Sequence, residues 1–544
     1  MPASSSGPVS STASAPPESG QGSLPSNHVP ELLAALLPSG LPVLPGAAFA
    51  AGYLAVGPDS NAGGDWFDAI SLANGSVALT VGSALGHGAG AAAAMSQMRT
   101  LLTELLQAEP SLDAAVDRVS AFAAVVPTLQ GASMVLAVLD PGNGRLQYIT
   151  CGSPPPLIVR RDGPAEHLAS TGAGPLGSLG ATPTPSTARL GEGDLALLYS
   201  SGLVDRPTGT IWHGMDELAH DAVHSVHSVA ADAARDPRTD PADCLSHVVD
   251  DLLSRTGYHA DVAVIAAQLL RQPIHPLRVQ VQSEVENLRL VRDEFSTWLA
   301  AAGASSPDFE DLQLAVGEVL TNAFVHAYPP GEEGPIEFQA HLDPDGSVQC
   351  QITDHGIWKD PELAAESGGH GLMVASELTG TVRVSHPRAG GTVVTFRRAL
   401  RRPPAMGSVS TPEHESTPTS EVPFRVTARG TATGGAAVGV QGRIDTTTEP
   451  EFSRRLLSAC RGGTVSLTVD LADVSYLDRA GTWALHQLSQ QLAVHQQALT
   501  LVVPPSGQAH PALHLAELAH QADPTADDAE PAHWDSSRRP GERW

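Results

Sequence analysis

The stretch Glu318-Val-Leu-Thr-Asn322-Ala-Phe-Val-His326 constrains this chain more than any other part of it. Ser306-Pro307 supplies an N-cap and a first-turn proline, and Tyr328-Pro329-Pro330 forces a stop, so a helix is expected between them. Leu312, Val316, Val319, Leu320 and Val325 make most of that helix apolar. Glu318, Asn322 and His326 nevertheless fall at i, i+4 and i+8, on one face. Such a stripe either turns to water or meets something polar, because burying it unpaired is costly.

The downstream pattern favours a polar partner. Ile336, Phe338, Ala340 and Leu342 alternate, Asp343-Pro-Asp-Gly346 turns, and Val348, Cys350 and Ile352 alternate again, which reads as a hairpin. Asp354 closes its second strand, and Gly356 permits close approach of a ligand to the backbone. Gly369-x-Gly371 opens an apparent helix from Leu372 to Leu378 whose first amides could receive phosphate, and Gly391-Thr392 follows.

These four pieces, in this order, resemble the anti-sigma-factor serine kinases of the GHKL ATPase superfamily over residues 275–400. The resemblance implies ATP and Mg²⁺ as cofactors, with Glu318 as general base, Asn322 as the Mg²⁺ ligand and Asp354 as acceptor for the adenine amine. Gly356, Gly369, Gly371 and Thr392 would shape the pocket, with His326, Trp358, Lys359 and Leu372 completing it and a short lid between Asp360 and Gly368. It also implies transfer of phosphate to a serine of an antagonist protein, binding of a sigma factor, and a homodimer through this unit. Lys359 is the one lysine of the chain, either a phosphate or partner contact or a remnant of lysine-poor usage.

Composition bounds the rest. A chain of 544 residues suits three to four domains, and 42% hydrophobic residues suits globular cores. Cys151, Cys244, Cys350 and Cys460 lie far apart with no metal or disulfide spacing, which favours a reducing cytoplasm. A net charge of −28 argues against general nucleic-acid binding. No apolar run approaches the ~18 residues of a membrane span, and no signal segment is read. Residues 1–27, a linker within 401–421, and an acidic tail over 522–544 are expected to be unfolded.

Residues 28–270 resemble the SpoIIE-type phosphatases of the PPM superfamily, through Leu36-Leu37-Pro38, Gly63-Gly-Asp-Trp-Phe-Asp68, Gly86-His-Gly88, Pro154-Pro-Pro156, Gly174-Pro-Leu-Gly177 and Leu198-Tyr199. An αββα sandwich is expected, with strands at Val77–Val81, Met134–Leu139 and Leu195–Tyr199 and a small-residue helix after Gly88. Two hard dications held together need several carboxylates to offset their repulsion. The resemblance assigns these to four motifs, of which only Asp65 survives. Ser83, Ser201 and Ala260 replace the other three aspartates, and Ser153 replaces a histidine. The expectation is a pseudophosphatase without Mn²⁺ or Mg²⁺. The alternative is a rebuilt site that recruits Asp68, Asp205 or Asp261. His220, His224 and His227, at i, i+4 and i+7, are either a zinc cluster or a solvated surface.

Residues 422–521 read as alternating strands (Val438–Val440, Val465–Val469, Leu499–Val503) and helices (Glu449–Cys460, Gly481–Val494, Pro511–His520). With Gly442-Arg-Ile-Asp445 and Tyr476-Leu-Asp-Arg-Ala-Gly481 they resemble a STAS domain, the anti-sigma-factor antagonist fold. In phosphorylated members a serine follows the aspartate; here the residue is Arg479, which cannot accept phosphate, and Thr482 and Ser475 are the nearby hydroxyls. The expected whole is a cytoplasmic partner-switching regulator, an ATP-dependent serine kinase fused to a silent phosphatase and a non-phosphorylatable STAS unit. A non-catalytic ATP-binding scaffold is the other reading. The tethered STAS unit is expected to inhibit the kinase unit, so deletion after Pro403 should raise kinase activity.

Overall fold

A computed structural model describes residues 35–56, 63–109, 111–178, 183–206, 210–233, 241–255, 258, 260–270, 273–329, 331–356, 370–387, 390–409, 422–430 and 436–522. The expectations for residues 1–27, for the lid 360–368 and for 523–544 lie outside these.

The strands Gly63–Ser71 and Val77–His87 are buried along almost their whole length, as expected for strands covered on both faces. They begin a five-stranded sheet that continues through Ser133–Asp140, Arg145–Cys151 and Ser186–Arg189. A six-stranded sheet faces it, in the order Ala405–Val409, Ala47–Val56, Val262–Leu269, Leu195–Tyr199, Leu157–Val159 and Ala165–His167. Phe67 and Tyr53 fill the space between the sheets, while Trp66, on the other face of its strand, is buried beneath helix Ala89–Ala108. Helix Ala89–Ala108 packs on the first sheet and helices Ile211–Ala233 and Pro241–Leu253 on the second, so the αββα expectation holds.

One expectation fails here. Residues 405–409, taken as part of an unfolded linker, form a strand parallel to Gly52–Val56, and Arg401–Arg402 pairs with Leu41–Pro42. Strand Ala47–Val56 would otherwise present an unpaired row of backbone groups. The small, uncharged Ala405-Met-Gly-Ser-Val409 can pair with it regardless of side-chain pattern. The remaining linker, 410–421, is outside the described residues.

The second domain is a five-stranded sheet ordered Leu277–Gln282, Pro335–Leu342, Ser347–Asp354, Thr392–Ala399, Val382–Ser385. The hairpin strands alternate buried with half-buried residues, and helices Val285–Ala301, Ser306–His326 and His370–Thr379 contribute to the single core. The helix N-cap is Ser305, one residue before the expected Ser306: its hydroxyl accepts from the Asp308 amide at 3.4 Å and donates to the Asp308 carboxylate at 3.0 Å. Asp308 also pairs with Arg398 at 2.9 Å and accepts from the Arg401 amide at 3.2 Å, tying the helix start to the end of the sheet. Val325, expected in the apolar set, is exposed.

The third domain has a five-stranded sheet ordered Arg425–Gly430, Ala436–Ile444, Leu467–Leu477, Leu499–Val502, His520–Gln521. Its first pair is antiparallel and the rest are parallel, with helices Glu449–Ala459, Arg479–Val494 and His510–Leu515 as crossovers. The expected last helix, Pro511–His520, stops at Leu515. Glu517 adopts φ +52°, and His520 becomes the start of an edge strand.

Candidate functional site

Glu318 and Asn322 are half-buried on helix Ser306–His326 and face the start of helix His370–Thr379. A Cβ placed on Gly371 would lie 2.9 Å from Glu318 Oε2 and 3.1 Å from Asn322 Nδ2. The stripe is therefore roofed by the Gly371 backbone, where an added Cβ would crowd the tips of both side chains. His326, two turns on, is exposed. Leu372 is half-buried against the domain core.

Asp354 ends its strand buried, and its Oδ1 accepts the amides of Gly356 at 3.0 Å and Thr392 at 3.2 Å. Burial pushes its pKa up, and the two amide bonds oppose the shift. Close packing fixes this corner: a Cβ on Gly356 would meet the Ala327 carbonyl at 1.9 Å, and one on Gly391 would meet the Asp354 carbonyl at 2.1 Å. Tyr328 adds a brace, donating to the Pro335 carbonyl at 2.8 Å while accepting from the His355 amide at 3.1 Å. Glu318, Asn322, Asp354, Gly356, Gly371, Leu372 and Thr392 thus lie in one domain around the ends of two helices and two strands. Trp358, Lys359 and Gly369 fall outside the described residues.

The first domain presents a second cleft. Asp65 is buried on its strand directly across from Ser83, whose hydroxyl donates to the Asp65 carboxylate. Burial raises the Asp65 pKa against the opposing charge of Arg479. Ser201 and Ala260 line the same cavity, of about 580 Å³. The three aspartates open to recruitment are each engaged. Asp68 is held by Arg99 at 2.9 and 3.1 Å, and Asp205 accepts from the Tyr476 hydroxyl at 2.6 Å. Asp261 accepts from Tyr53 at 3.0 Å and the Val56 amide at 2.8 Å, and burial, reinforced by the Asp65 charge, pushes its pKa up to about 7. Among the described residues no three His, Cys, Asp or Glu side chains gather as a metal set, and His220, His224 and His227 point outward. The first domain gives this cavity three carboxylates, Asp65, Asp205 and Asp261, each held by hydrogen bonds, whereas a pair of dications requires several carboxylates free to bind them.

The third domain meets this cleft. Asp478 caps helix Arg479–Val494, accepting from the Gly481 amide at 2.9 Å. Arg479 donates to the Ser83 carbonyl at 3.1 Å and the Ser133 hydroxyl at 3.4 Å, and its guanidinium lies 4.0 Å from Asp65. These bonds run to the first domain, not to the kinase-like unit as expected from the tether. Thr482 is buried and donates to the Arg479 carbonyl at 3.0 Å, while Ser475 is exposed. Sequence reasoning missed Ser133 and Tyr476, since nothing in their local pattern marks a contact between domains.

Three family models match in chain order: Stage II sporulation protein E (SpoIIE) over residues 73–270, the Histidine kinase-like ATPase domain over 281–398, and the Mlab, STAS domain over 429–522. The crystal structure of the RsbU and RsbW domains of Rv1364c from Mycobacterium tuberculosis is 34% identical, with a TM-score of 0.60, and the match covers 69% of this chain and 99% of that one. The chain belongs to this RsbU–RsbW family. Its kinase-like unit is also similar to an anti-sigma F factor of Clostridium beijerinckii, 24% identical across 22% of this chain and 92% of the relative. The serine-protein kinase RsbW of Listeria innocua is 26% identical across 22% of this chain and 85% of the relative. The fusion of SpoIIE-type, GHKL-like and STAS modules expected from the motifs is the one these matches describe.

Proposed function

We propose that this chain is a partner-switching regulator of a sigma factor whose working centre is the RsbW-like unit, a protein serine kinase that uses Mg²⁺-ATP. The observation that carries this reading is that Glu318 and Asn322, one turn apart on the helix, both lie against Gly371 at the start of the next helix, with their polar ends 2.9 and 3.1 Å from where a Cβ on Gly371 would stand. Bound Mg²⁺-ATP would supply the phosphoryl group. Asn322 would hold the metal through its amide oxygen, and Asp354 would receive the adenine amine in the corner braced by Gly356 and Thr392. Glu318 would take the proton of the substrate serine hydroxyl as that oxygen attacks the terminal phosphorus and the bond to the bridging oxygen breaks, releasing ADP. The substrate is a separate STAS-type antagonist, and the sigma factor competes with it for the same unit.

The SpoIIE-type unit is proposed to be catalytically silent: with Ser83, Ser201 and Ala260 standing where aspartates are needed, Asp65 keeps Asp261 as its near carboxylate neighbour, too few for hydrolysis assisted by two dications. Calorimetry of Mg²⁺-ATP with the wild type and Asn322→Ala tests nucleotide binding, and transfer to a STAS protein tests chemistry. Glu318→Gln should keep ATP binding and lose transfer by roughly 10²- to 10⁴-fold. Binding without transfer in the wild type would leave an ATP-ordered scaffold instead of a kinase.

A further inference from the structure

The third domain sits on the cleft of the first through its helix N-terminus, the place where a phosphorylatable STAS domain carries its serine. Polar contacts at this junction include Tyr476 to Asp205, and Arg479 to the Ser83 carbonyl, the Ser133 hydroxyl and the Asp65 carboxylate. Trp483 is 9% exposed, yet it lies outside the third domain's own core. It is covered by the first domain, since a Cβ on Gly131 would meet both Trp483 at 2.7 Å and Leu85 at 2.6 Å. Trp212 of the first domain stands edge-on to His514 of the third, ring centroids 5.5 Å apart.

We propose that the first domain's cleft is a docking site for the chain's own STAS domain, held there as an internal pseudosubstrate. The Arg479 guanidinium provides the positive charge that Asp65 would otherwise draw from a metal ion. Charge argues for this occupant. An arginine opening a helix opposes the helix dipole; Asp478, which caps the same helix, offsets part of that cost, and Asp65 across the junction supplies a second anion. Asp65, buried and without a metal set, needs a cation of its own. Each anomaly answers the other. Twelve residues, 410–421, separate the first domain's edge strand from Val422, which keeps the STAS domain at an effective concentration on the order of millimolar. While docked, it covers the cleft against any phosphorylated antagonist in trans. The proposal rests on reading the first domain's metal set as lost.

Small-angle X-ray scattering of the full chain tests it. The wild type should scatter as one closed particle. Arg479→Glu, which places an anion beside Asp65, should release the third domain and lengthen the maximum dimension, with the profile of a tethered, mobile unit. Asp205→Ala combined with Asp65→Asn, on the other side of the junction, should shift the profile in the same direction without touching the STAS fold. Wild-type scattering that already shows a detached domain would overturn the latch, as would both variants matching the wild type. Scattering does not depend on phosphatase chemistry, so Mn²⁺-dependent phosphatase activity would remove the reading beneath the proposal without altering this result.

Discussion

Gly390 and Gly391 offer a matched pair for testing how the corner around Asp354, proposed to receive adenine, is built. Both adopt positive φ, +94° and +87°, so alanine at either should cost roughly 1–2 kcal/mol of backbone strain. They differ in what a methyl group would meet. A Cβ on Gly390 has nothing within 4 Å, whereas one on Gly391 would lie 2.1 Å from the Asp354 carbonyl oxygen, 2.8 Å from His355 Cα and 3.0 Å from the Asp354 carbonyl carbon. To reach 3.0 Å the Asp354 carbonyl must retreat by 3.0 − 2.1 = 0.9 Å. That retreat carries the Asp354 side chain and the Gly356 and Thr392 amides bonded to it. Misplacing a positioning group by about 1 Å can cost on the order of 100-fold, equivalent to about 2.7 kcal/mol. Calorimetric titration of Mg²⁺-ATP should therefore find Gly390→Ala within about threefold of the wild type and Gly391→Ala about 100-fold weaker. Equal affinities for the two variants would refute the argument that Asp354 must stand where it does.

Two further expectations concern the first domain. Asp261 has its folded pKa raised to about 7, so the folded state binds more protons than the unfolded state between the ordinary carboxylate range and 7. Stability should fall as pH rises through that window, by up to about 4 kcal/mol, and Asp261→Asn should remove most of the fall in thermal unfolding between about pH 5 and pH 8. An unchanged slope in the variant would assign the titration elsewhere. Restoring the missing carboxylates with Ser83→Asp, Ser201→Asp and Ala260→Asp should give Mn²⁺-dependent hydrolysis of a phosphoserine STAS protein only when Arg479→Ala is added, because the guanidinium lies 4.0 Å from Asp65. Full activity of the triple variant with Arg479 in place would contradict that block.

The sequence was most legible where local pattern and long-range packing agree. The period-2 alternation of Ile336 to Leu342 and Val348 to Ile352 gave the hairpin, and the 4-residue spacing of Glu318 and Asn322 gave the face that meets Gly371. Strand Arg425–Gly430 was missed because its charged residues carry no apolar run. Strand Ala405–Val409 was hidden in linker composition, since edge pairing uses backbone groups that every residue has. Within the candidate sites, the residue types of Asp65, Ser83, Ser201 and Ala260 could be read one by one. That Arg479, nearly 400 positions from Ser83, reaches into the same cleft could not, because no spacing rule connects surfaces of separate domains.

The most direct test of the account is a single transfer-and-chase experiment on the wild-type chain. Terminally labelled ATP with Mg²⁺ is supplied together with a STAS antagonist that carries the serine, the ATP is then exhausted, and Mn²⁺ is added. Label should move to the antagonist serine and stay there. No transfer would contradict the kinase assignment, and transfer followed by Mn²⁺-dependent loss of label would contradict the silent phosphatase.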